Sequence, residues 1–271
     1  MRYLQNLHTH STWCDGKNSP REMIESAIAR GFDSIGFSGH SYMSYSSLLP
    51  VTLDSTRAYK EEIRRLKAEY EGRIKIFLGL EADMFSEDDF SGLDYTIGSV
   101  HYLKTPRGIA AFDRLIPAIQ AVIDEHYDGS GIAFARDYYA HLSQLPAHGK
   151  FDIIGHFDLC DKHGKNAGFF DTDSRAYREA AIGAAEALAG KIPYFEVNTG
   201  CIPRGYRPYP YPAPFLLPEL RRLGFGAVIS SDCHNADYLD AAFDTAAELL
   251  RAAGFREYYV LTDDGFCPVA L

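Results

Sequence analysis

Residues 3–10 of the chain read YLQNLHTH, a short β-rich run that ends in two histidines separated by one residue. Successive side chains of an extended segment point to opposite faces, so His8 and His10 share a face and can both reach one cation. On its own the pair is a weak motif, because a single histidine is commonly only hydrogen-bonded. The pair predicts a strand that ends in part of a metal site, provided that other ligand-type residues also stand at the ends of strands.

Short β-rich runs alternate with helical stretches along the whole chain, a pattern typical of parallel βαβ units. Most of the runs are brief and apolar, as expected of strands that are buried on both faces. The candidate strands are residues 3–7, 34–37, 74–80, 95–100, 152–155, 194–197 and 226–230, with a late one at 258–261. A chain of 271 residues is long enough to bury one core of the α/β-barrel size class, so we expect a single domain over residues 1–271.

The first helix carries clear start and stop signals. The sequence Ser19-Pro20-Arg21-Glu22 supplies a capping hydroxyl, a proline in the first turn and a glutamate that closes a capping box, and Gly31 ends the helix. Further helices are predicted over residues 55–70, 174–189 and 239–252, with two more between residues 113 and 150 around Gly129-Ser130-Gly131. Residues 202–218 are so dense in proline that they can form only a structured loop.

Histidines and acids collect at or just after the C-terminal ends of the predicted strands. In a barrel of parallel strands these ends converge on one face, where such folds build their active sites. A buried cluster of imidazoles and carboxylates without a cation would suffer large desolvation and repulsion penalties, so a shared metal is the economical explanation. The nine candidate ligands are His8, His10, Asp15, His40, Glu81, His101, His156, Asp232 and His234.

The remaining histidines have weaker functional interpretations. His126 and His141 fall within predicted helices and His148 in a polar turn, so we interpret all three as structural or solvated. His163 and Lys162 lie in the loop after the fifth predicted strand, on the active rim, where substrate contact and a plain loop role are both open.

The five cysteines form no C-x-x-C pair and are odd in number, which suits reduced thiols. Cys14 and Cys233 adjoin predicted ligands, but adjacent side chains in an extended chain point to opposite faces, so we expect both to be packing residues. Ser38 and Ser99 lie near the rim without a base at a recognised spacing and do not indicate acyl-type catalysis.

The net charge of −10 disfavours an extended nucleic-acid-binding face, although a local basic pocket stays possible. No basic segment followed by an apolar run lies near Met1, and no apolar stretch is long enough to cross a bilayer. We therefore expect a soluble cytoplasmic protein without a membrane partner or a long polynucleotide partner. The oligomeric state stays open.

Taken as a set, these motifs resemble the polymerase-and-histidinol-phosphatase (PHP) family, and in particular its stand-alone histidinol phosphatases. The sequence Gly98-Ser99-Val100-His101-Tyr102 favours that branch over the polymerase-associated one. The resemblance implies a distorted (β/α)7 TIM-like barrel with a metal site at the C-terminal ends of the strands. The matching stretches, which span nearly the whole chain in the family's order, are His8-Thr9-His10 with Asp15-Gly16, Gly39-His40, Gly79-Leu80-Glu81, the stretch ending at Tyr102, Gly155-His156 and Ser231-Asp232-Cys233-His234.

The resemblance also implies how the ligands divide among two to three divalent cations. Glu81 would bridge the first two cations. Some family members have a histidine where Asp15 stands, and a carboxylate there can change which metal the third site prefers. Nitrogen and oxygen ligands suit zinc, manganese or iron and do not choose among them. The implied sets are His8, His10, Glu81 and Asp232 for the first cation, Glu81, His101 and His156 for the second, and Asp15, His40 and His234 for the third.

The activity implied by the resemblance is hydrolysis of a small phosphate monoester, L-histidinol phosphate, by a hydroxide that bridges the metals. The leaving alkoxide needs a proton, which Asp232 or His234 could supply. Arg204 is the expected phosphate ligand, because a guanidinium offers a fork matched to phosphate oxygens, and Arg207 is the reserve. Packing of Arg204 on the neighbouring tyrosines is the competing interpretation.

Three alternatives stay open at this point. The first is a phosphodiesterase or exonuclease of the same superfamily that acts on small nucleotides. The second is an amidohydrolase, whose barrel also begins with His-x-His but usually bridges its metals with a modified lysine, where this sequence has Glu81. The third is an inactive metal-binding scaffold protein, against which the complete ligand set and the absence of a separate interaction module argue.

Overall fold

The computed structural model describes residues 3–46 and 51–271, and parallel strands form its centre. Seven of these strands, β1, β2, β3, β4, β7, β8 and β9, lie side by side in this order, and each neighbouring pair is parallel. The predicted seven-stranded barrel is therefore confirmed. In chain order the strands are β1 (Gln5–Asn6), β2 (Ser34–Phe37), β3 (Lys75–Asp83), β4 (Tyr95–Ser99), β5 (Tyr102–Thr105), β6 (Gly108–Ala111), β7 (Ile153–Ile154), β8 (Tyr194–Asn198), β9 (Gly226–Ser230), β10 (Glu257–Thr262) and β11 (Gly265–Ala270).

The first and last barrel strands meet at a single parallel bridge between Thr9 and Cys233. The His10 amide donates to the Cys233 carbonyl at 2.9 Å, and the Cys233 amide donates to the His8 carbonyl at 3.2 Å. The bridge lies just beyond the C-terminal ends of both strands. The seam that closes the ring therefore runs through the two segments richest in predicted ligands.

Helices cover the outside of the ring, and most begin where the sequence signals a start. Ser19 caps α1 through a complete capping box, as predicted. Thr52 caps α2 and places Ser55 three residues inside it, so this helix starts earlier than residue 55. The late helix begins at residue 243 instead of 239, after a 3₁₀ turn at Ala236–Tyr238. In chain order the helices are α1 (Pro20–Ala29), α2 (Leu53–Glu69), α3 (Ile116–Tyr127), α4 (Gly131–Leu142), α5 (Leu145–His148), α6 (Arg175–Leu188), α7 (Leu217–Arg222) and α8 (Phe243–Ala252).

None of the helices in the described ranges is both long enough and apolar enough to cross a membrane.

The inside of the barrel contains an apolar layer separate from the main core between strands and helices. Leu7, Phe77, Tyr95, Ile97 and Val228 belong to it. The Tyr95 ring lies across the barrel, and its hydroxyl donates to the Leu7 carbonyl. Because side chains alternate along a strand, Phe77 and the residues at positions 79 and 81 of β3 share the inward face. The apolar layer therefore lies directly below the predicted ligand at position 81.

The late strand predicted at residues 258–261 is present, but it pairs antiparallel with β11 and does not join the ring. The Gln5 side chain links this hairpin to β1, since its Nε2 donates to the Leu261 carbonyl at 2.8 Å and its Oε1 accepts from the Leu261 amide at 2.7 Å. Leu261 belongs to the inner apolar layer, and Phe266 packs against it. The hairpin therefore closes the end of the barrel opposite the predicted metal site.

A second hairpin, β5–β6, was not predicted from the sequence. It follows β4 at the C-terminal rim and pairs Tyr102 with Ala111 and Thr105 with Gly108. Its strands are only four residues long and give no clear alternating pattern. It forms part of the wall beside the predicted metal site.

The close approach of Tyr95 makes Gly79 a sensitive position in the barrel. A Cβ at Gly79 would lie 2.3 Å from Tyr95 Cζ, so Gly79→Ala should lower the free energy of unfolding by about 1–3 kcal/mol through overpacking. Gly183→Ala is the matched control, because no heavy atom lies within 4 Å of a Cβ at this position in α6 and the change should stabilise the helix by about 0.5–1 kcal/mol. Urea unfolding measures both, and equal effects of the two variants would contradict the packing argument.

Candidate metal centre

All nine predicted ligands lie together at the C-terminal rim of the barrel. Four flank the seam between β1 and β9, and Asp15 lies in the first turn after it. His40, His101 and His156 follow the ends of β2, β4 and β7, and Glu81 lies within β3 near its C-terminal end. Three sets of side chains have donor atoms close enough for one ion: His10, Asp15, His40 and His234; His8, His10 and Asp232; and His40, Glu81 and His101.

The first candidate position lies at the seam. His10 Nε2 is 3.2 Å from Asp232 Oδ1 and 3.5 Å from Glu81 Oε2. His8 Nε2 is 3.4 Å from Glu81 Oε2 and 3.7 Å from Asp232 Oδ1. Ligands held about 2.0–2.1 Å from a tetrahedral ion lie roughly 3.3 Å apart, so these four atoms have the spacing of a coordination shell.

The second candidate position uses the other oxygen of the same glutamate. Glu81 Oε1 is 2.8 Å from His156 Nε2 and 3.3 Å from His101 Nε2. The two imidazole nitrogens are 3.2 Å apart. Since one oxygen of Glu81 faces each group, its carboxylate has the geometry of a bridge between two ions.

The third candidate position is the most exposed. His234 Nε2 is 3.2 Å from Asp15 Oδ2, and His40 Nε2 is 3.6 Å from Asp15 Oδ1. His40 also places its Nδ1 3.0 Å from Glu81 Oε2. The two ring nitrogens of His40 therefore face Asp15 and Glu81 at the same time, whereas the sequence analysis assigned His40 to the third position alone.

Buried atoms without partners support the fit of these residues to metal. Among the described residues, His8 Nε2, His10 Nε2 and Glu81 Oε2 are buried without a hydrogen-bond partner, and all three face the first position. Buried polar atoms are rarely left unpaired, because each lost partner costs free energy. A cation that accepted these three lone pairs would remove the penalty, so the site fits a metal ion by an observation independent of any motif.

The charged side chains at the centre also shift each other's pKa. Burial disfavours the carboxylate of Glu81, but the imidazoles of His8 and His101 hold its pKa well below the usual range. Burial likewise opposes ionisation of Asp232, and His8 together with Arg204 holds its pKa well below the usual range. Both acids are therefore anionic at neutral pH, as candidate metal ligands should be.

The pKa values of the imidazoles differ according to their neighbours. Burial lowers the pKa of His10 to about 3, with the positive charges of His234 and His40 acting in the same direction. The pKa of His101 is raised to about 10, because Glu81 and Asp83 outweigh the opposing effect of burial. A bound cation would compete with the proton on each acid-paired imidazole, since a histidine ligand must be neutral.

Glu196 is a functional residue that the sequence analysis missed. Its Oε2 accepts from His8 Nδ1 at 2.8 Å, and its Oε1 accepts from the His156 amide at 2.7 Å. A proton held on Nδ1 leaves Nε2 of His8 free to face the centre, which is how outer partners fix ligand orientation. The available signal was an acid inside the otherwise apolar strand YFEVN of β8.

Three further side chains contact the candidate ligands and help to orient them. The Ser99 hydroxyl donates to Glu81 Oε1 at 2.9 Å, and Asp83 Oδ2 accepts from the His101 amide at 2.7 Å. Cys14 Sγ lies 3.4 Å from His10 Nδ1, so this thiol contacts the ring edge turned away from the metal position.

The backbone at Asp232 has φ 46°, a left-handed conformation that non-glycine residues seldom adopt. Such strain persists only where the surrounding structure imposes it, and it is concentrated at functional sites. Here the turn directs the carboxylate of Asp232 into the centre directly before the bridged residue Cys233.

Two of the predicted substrate-contact residues face the centre. Arg204 and Lys162 line a cavity of about 450 Å³ together with His101, His156 and Asp232. A guanidinium nitrogen of Arg204 donates to the Asp232 carbonyl and lies 2.7 Å from His234 Nδ1. Lys162 Nζ donates to Asp113 Oδ1 at 2.5 Å.

The other two predicted substrate-contact residues, Arg207 and His163, do not line the cavity at the candidate metal centre. Arg207 has a fully buried guanidinium that donates to both carboxylate oxygens of Asp158 at 3.0 Å and to Asp161 Oδ2 at 3.2 Å. Its role is to hold the proline-rich loop, which corrects its place as reserve phosphate ligand. His163 is also buried, donates from Nε2 to the Arg114 carbonyl at 2.8 Å and packs on Tyr206. Of the two roles that the sequence left open for His163, these contacts favour the loop role over substrate contact.

Comparison with known proteins agrees with this geometry. The PHP domain profile matches residues 6–200. This chain belongs to the PHP family. It is 32% identical over 270 residues to a probable histidinol-phosphatase of Deinococcus radiodurans, with 94% of this chain and 96% of that protein covered. It is 28% identical to the histidinol-phosphatase of Bacillus subtilis, with 89% of this chain and 97% of that protein covered.

The fold is also that of a solved histidinol phosphate phosphatase. The structure of the Lactococcus lactis histidinol phosphate phosphatase in complex with zinc, L-histidinol and phosphate superimposes with a TM-score of 0.73 at 22% identity, covering 97% of this chain and 98% of that chain. At this identity the likeness bears on the fold, and it agrees with the seven-stranded barrel described above.

The metal assignment predicts about two to three transition-metal ions per chain, because nine nitrogen and oxygen ligands exceed what one tetrahedral site can use. Glu81→Gln should lower that content, because an amide cannot supply two anionic oxygens to bridge cations. Elemental analysis after reconstitution with Zn²⁺, Mn²⁺ or Fe²⁺ in turn measures both.

Two variants serve as controls for this experiment. Glu186→Gln changes an exposed carboxylate paired with Arg222 and should keep the parental metal content. Cys233→Ser should also keep it, since Cys233 is a bridging and packing residue. A content below one ion in the parent protein would refute the cluster, and metal loss in Cys233→Ser would show that a ligand had been misassigned.

Proposed function

We propose that this chain is a metal-dependent histidinol-phosphatase that hydrolyses L-histidinol phosphate to L-histidinol and phosphate. The observation that carries the proposal is the position of Glu81 between two sets of imidazoles, with the basic side chains Arg204 and Lys162 lining the same cavity. Relatives of the same length bear this name, and the chain covers nearly all of them.

In the proposed arrangement, His8, His10, Glu81 and Asp232 hold one cation, and Glu81, His101 and His156 hold a second. Asp15, His40 and His234 hold a third when it is present. Bound cations would lower the pKa of a water molecule and neutralise phosphoryl oxygens, which are the two needs of displacement at a phosphate monoester. Zinc, manganese and iron all suit these ligands, and zinc is the metal in the related complex.

The chain's own residues would bind and orient the phosphate. Arg204 offers a planar fork and Lys162 a point charge, and both line the cavity that also contains Glu81. Asp232 is anionic, so it would first accept a proton from the attacking water molecule and then pass it to the leaving alkoxide, which is otherwise a poor leaving group. His234 is the other candidate for this relay. The 2.7 Å contact between the Arg204 guanidinium and His234 Nδ1 supports this proposal, because it brings the proposed phosphate ligand next to the candidate proton carrier.

The remaining parts of the proposal concern cellular context. All five cysteines are free, which suits a reducing cytoplasm. A role in histidine biosynthesis follows from the proposed substrate. We further propose that the whole chain is one domain and that its partner is a small phosphate monoester, because the cavity is of small-molecule size and the net charge of −10 opposes long polynucleotides.

Phosphate release from a small panel of esters tests the function. We expect turnover of L-histidinol phosphate to exceed that of bis(p-nitrophenyl) phosphate, because two cations and two basic side chains suit a dianionic monoester. Faster hydrolysis of the bis-ester would favour the phosphodiesterase alternative. A fully metal-loaded protein without activity on any ester would favour the scaffold alternative.

Arg204→Ala should lower kcat/KM for L-histidinol phosphate about 10- to 100-fold with metal content unchanged. The loss of a charge-assisted bond to phosphate costs about 1.5–3 kcal/mol, which sets that range. Arg204→Lys should recover only part, because an ammonium cannot reproduce the fork. Arg222→Ala, which removes an exposed arginine far from the site, is the control, and parental activity in both Arg204 variants would move the phosphate contact elsewhere.

A further inference from the structure

The loop that follows β1, residues 11–18, carries the only carboxylate in the proposed ligand set of the third cation, and we call it the Asp15 loop. The side chain of Asp15 is 37% exposed and that of His234 is 24% exposed. Those of His10 and Glu81, at the first position, are at most 1% exposed. Tight packing around the ligands therefore cannot hold Asp15 in place, and the contacts of its loop must do so.

The Asp15 loop is a compact turn. The Ser11 carbonyl accepts from the amides of Cys14 and Gly16, at 3.0 Å each. The turn is so tight that a Cβ at Gly16 would lie 2.5 Å from the Ser11 amide nitrogen. A contact made at one residue of this turn therefore bears on the position of Asp15.

One side of the Asp15 loop is joined to the segment after β9. The Lys17 amide donates to the His234 carbonyl at 2.7 Å. Asn18 Oδ1 accepts from the Ala236 amide at 3.0 Å. These bonds connect the loop to the residue that carries another ligand of the third position.

The other side of the loop is joined to α2. Trp13 Nε1 donates to Glu62 Oε2 at 2.6 Å, and the half-buried indole packs against the main core. The side chain of Glu62 is 27% exposed. A hydrogen bond to a carboxylate is stronger than one between neutral groups. Because α2 contains none of the nine candidate ligands, this contact bears on the metal centre only through the loop.

We propose that Trp13 and Glu62 are positioning residues for the third cation. Their contact holds the Asp15 loop against α2, so that Asp15 faces the same ion as His234. The first two positions do not depend on this contact, because the barrel strands and the seam hold their ligands. This inference rests on the third cation of the proposed function and not on the hydrolysis of any ester.

Loss of Glu62 has two effects that must be separated. It removes the acceptor for the indole, and it also removes a negative charge that attracts cations. Glutamine separates the two effects, because its amide oxygen still accepts a hydrogen bond although the charge is gone. Trp13→Phe does the reverse, since it removes the donor and keeps the charge of Glu62.

The test equilibrates the metal-loaded protein against a series of buffers of defined free Zn²⁺ and counts the ions per chain by elemental analysis. Glu62→Ala and Trp13→Phe should each weaken binding of the third ion about 10-fold, the lower end of the range for loss of an outer partner of a metal ligand. Both should keep the first two ions at parental affinity. Glu62→Gln should stay near the parent, and Glu61→Ala, which removes an exposed neighbouring acid of α2, is the matched control.

The double variant Trp13→Phe with Glu62→Ala tests whether the two residues act through one contact. If they do, the double variant should bind the third ion no more weakly than either single variant does. Additive losses would show that the two side chains act separately and would overturn the inference.

The chain also carries its own probe of this step. Trp13 is its only tryptophan and lies two residues from Asp15. We expect the tryptophan emission to change over the range of free Zn²⁺ in which the third ion binds. In Glu62→Ala this change should move to about 10-fold higher free Zn²⁺, in parallel with the ion count.

The remaining outcomes separate this inference from the proposed function. Equal weakening of all three ions in Glu62→Ala would show a general structural role and overturn the inference. Parental binding of the third ion in both single variants would also overturn it, as would a parent protein that takes up only two ions at saturating Zn²⁺. A parent that loads three ions but releases phosphate from no ester would refute the proposed function and leave the role of Trp13 and Glu62 intact.

Discussion

The backbone bridge between Thr9 and Cys233 is the contact on which the site depends. It joins the first and last strands of the barrel, and each bridged residue has predicted metal ligands on both sides of it in sequence. His8 and His10 share a face because side chains alternate along an extended segment, and the left-handed backbone at Asp232 turns its carboxylate toward the same centre. Closure of the ring and assembly of the ligands are thus one event, and a slip of one residue in this register would turn the ligands away from each other.

The inside of the barrel divides into an apolar layer and a layer of buried charged side chains. Below lies the apolar layer around Tyr95, and above it lie the buried acids Glu81, Glu196 and Asp83. The lower layer offers these carboxylates no solvent, so their charge must be balanced by imidazoles, by serine or amide donors and by cations. Within the described residues, the buried side-chain atoms without a hydrogen-bond partner, such as Glu81 Oε2, all belong to candidate metal ligands of this upper layer.

The sequence predicted the ring and its ligands because both leave a short-range signal: brief apolar runs and ligand-type residues at their ends. Residues whose role depends on tertiary contacts were harder. Glu196 looked like part of an apolar strand, and only the fold brings it to His8. Arg204 and Arg207 lie three residues apart in one loop, and the sequence alone could not show which guanidinium would be buried. The hairpin after β4 was missed because its four-residue strands carry no periodic pattern.

The buried guanidinium of Arg207 joins the proline-rich loop to the segment after β7, since it binds Asp158 and Asp161. These two loops carry Arg204 and Lys162. The distance between the Arg204 and Lys162 loops is consequently fixed during folding. The free-energy cost of bringing these two positive charges together is therefore offset by folding and not by ligand binding. Association then loses less conformational entropy, because the loops need no ordering. A substitution at Arg207 would therefore weaken the affinity for an anionic ligand, although the Arg207 side chain is buried and does not contact that ligand.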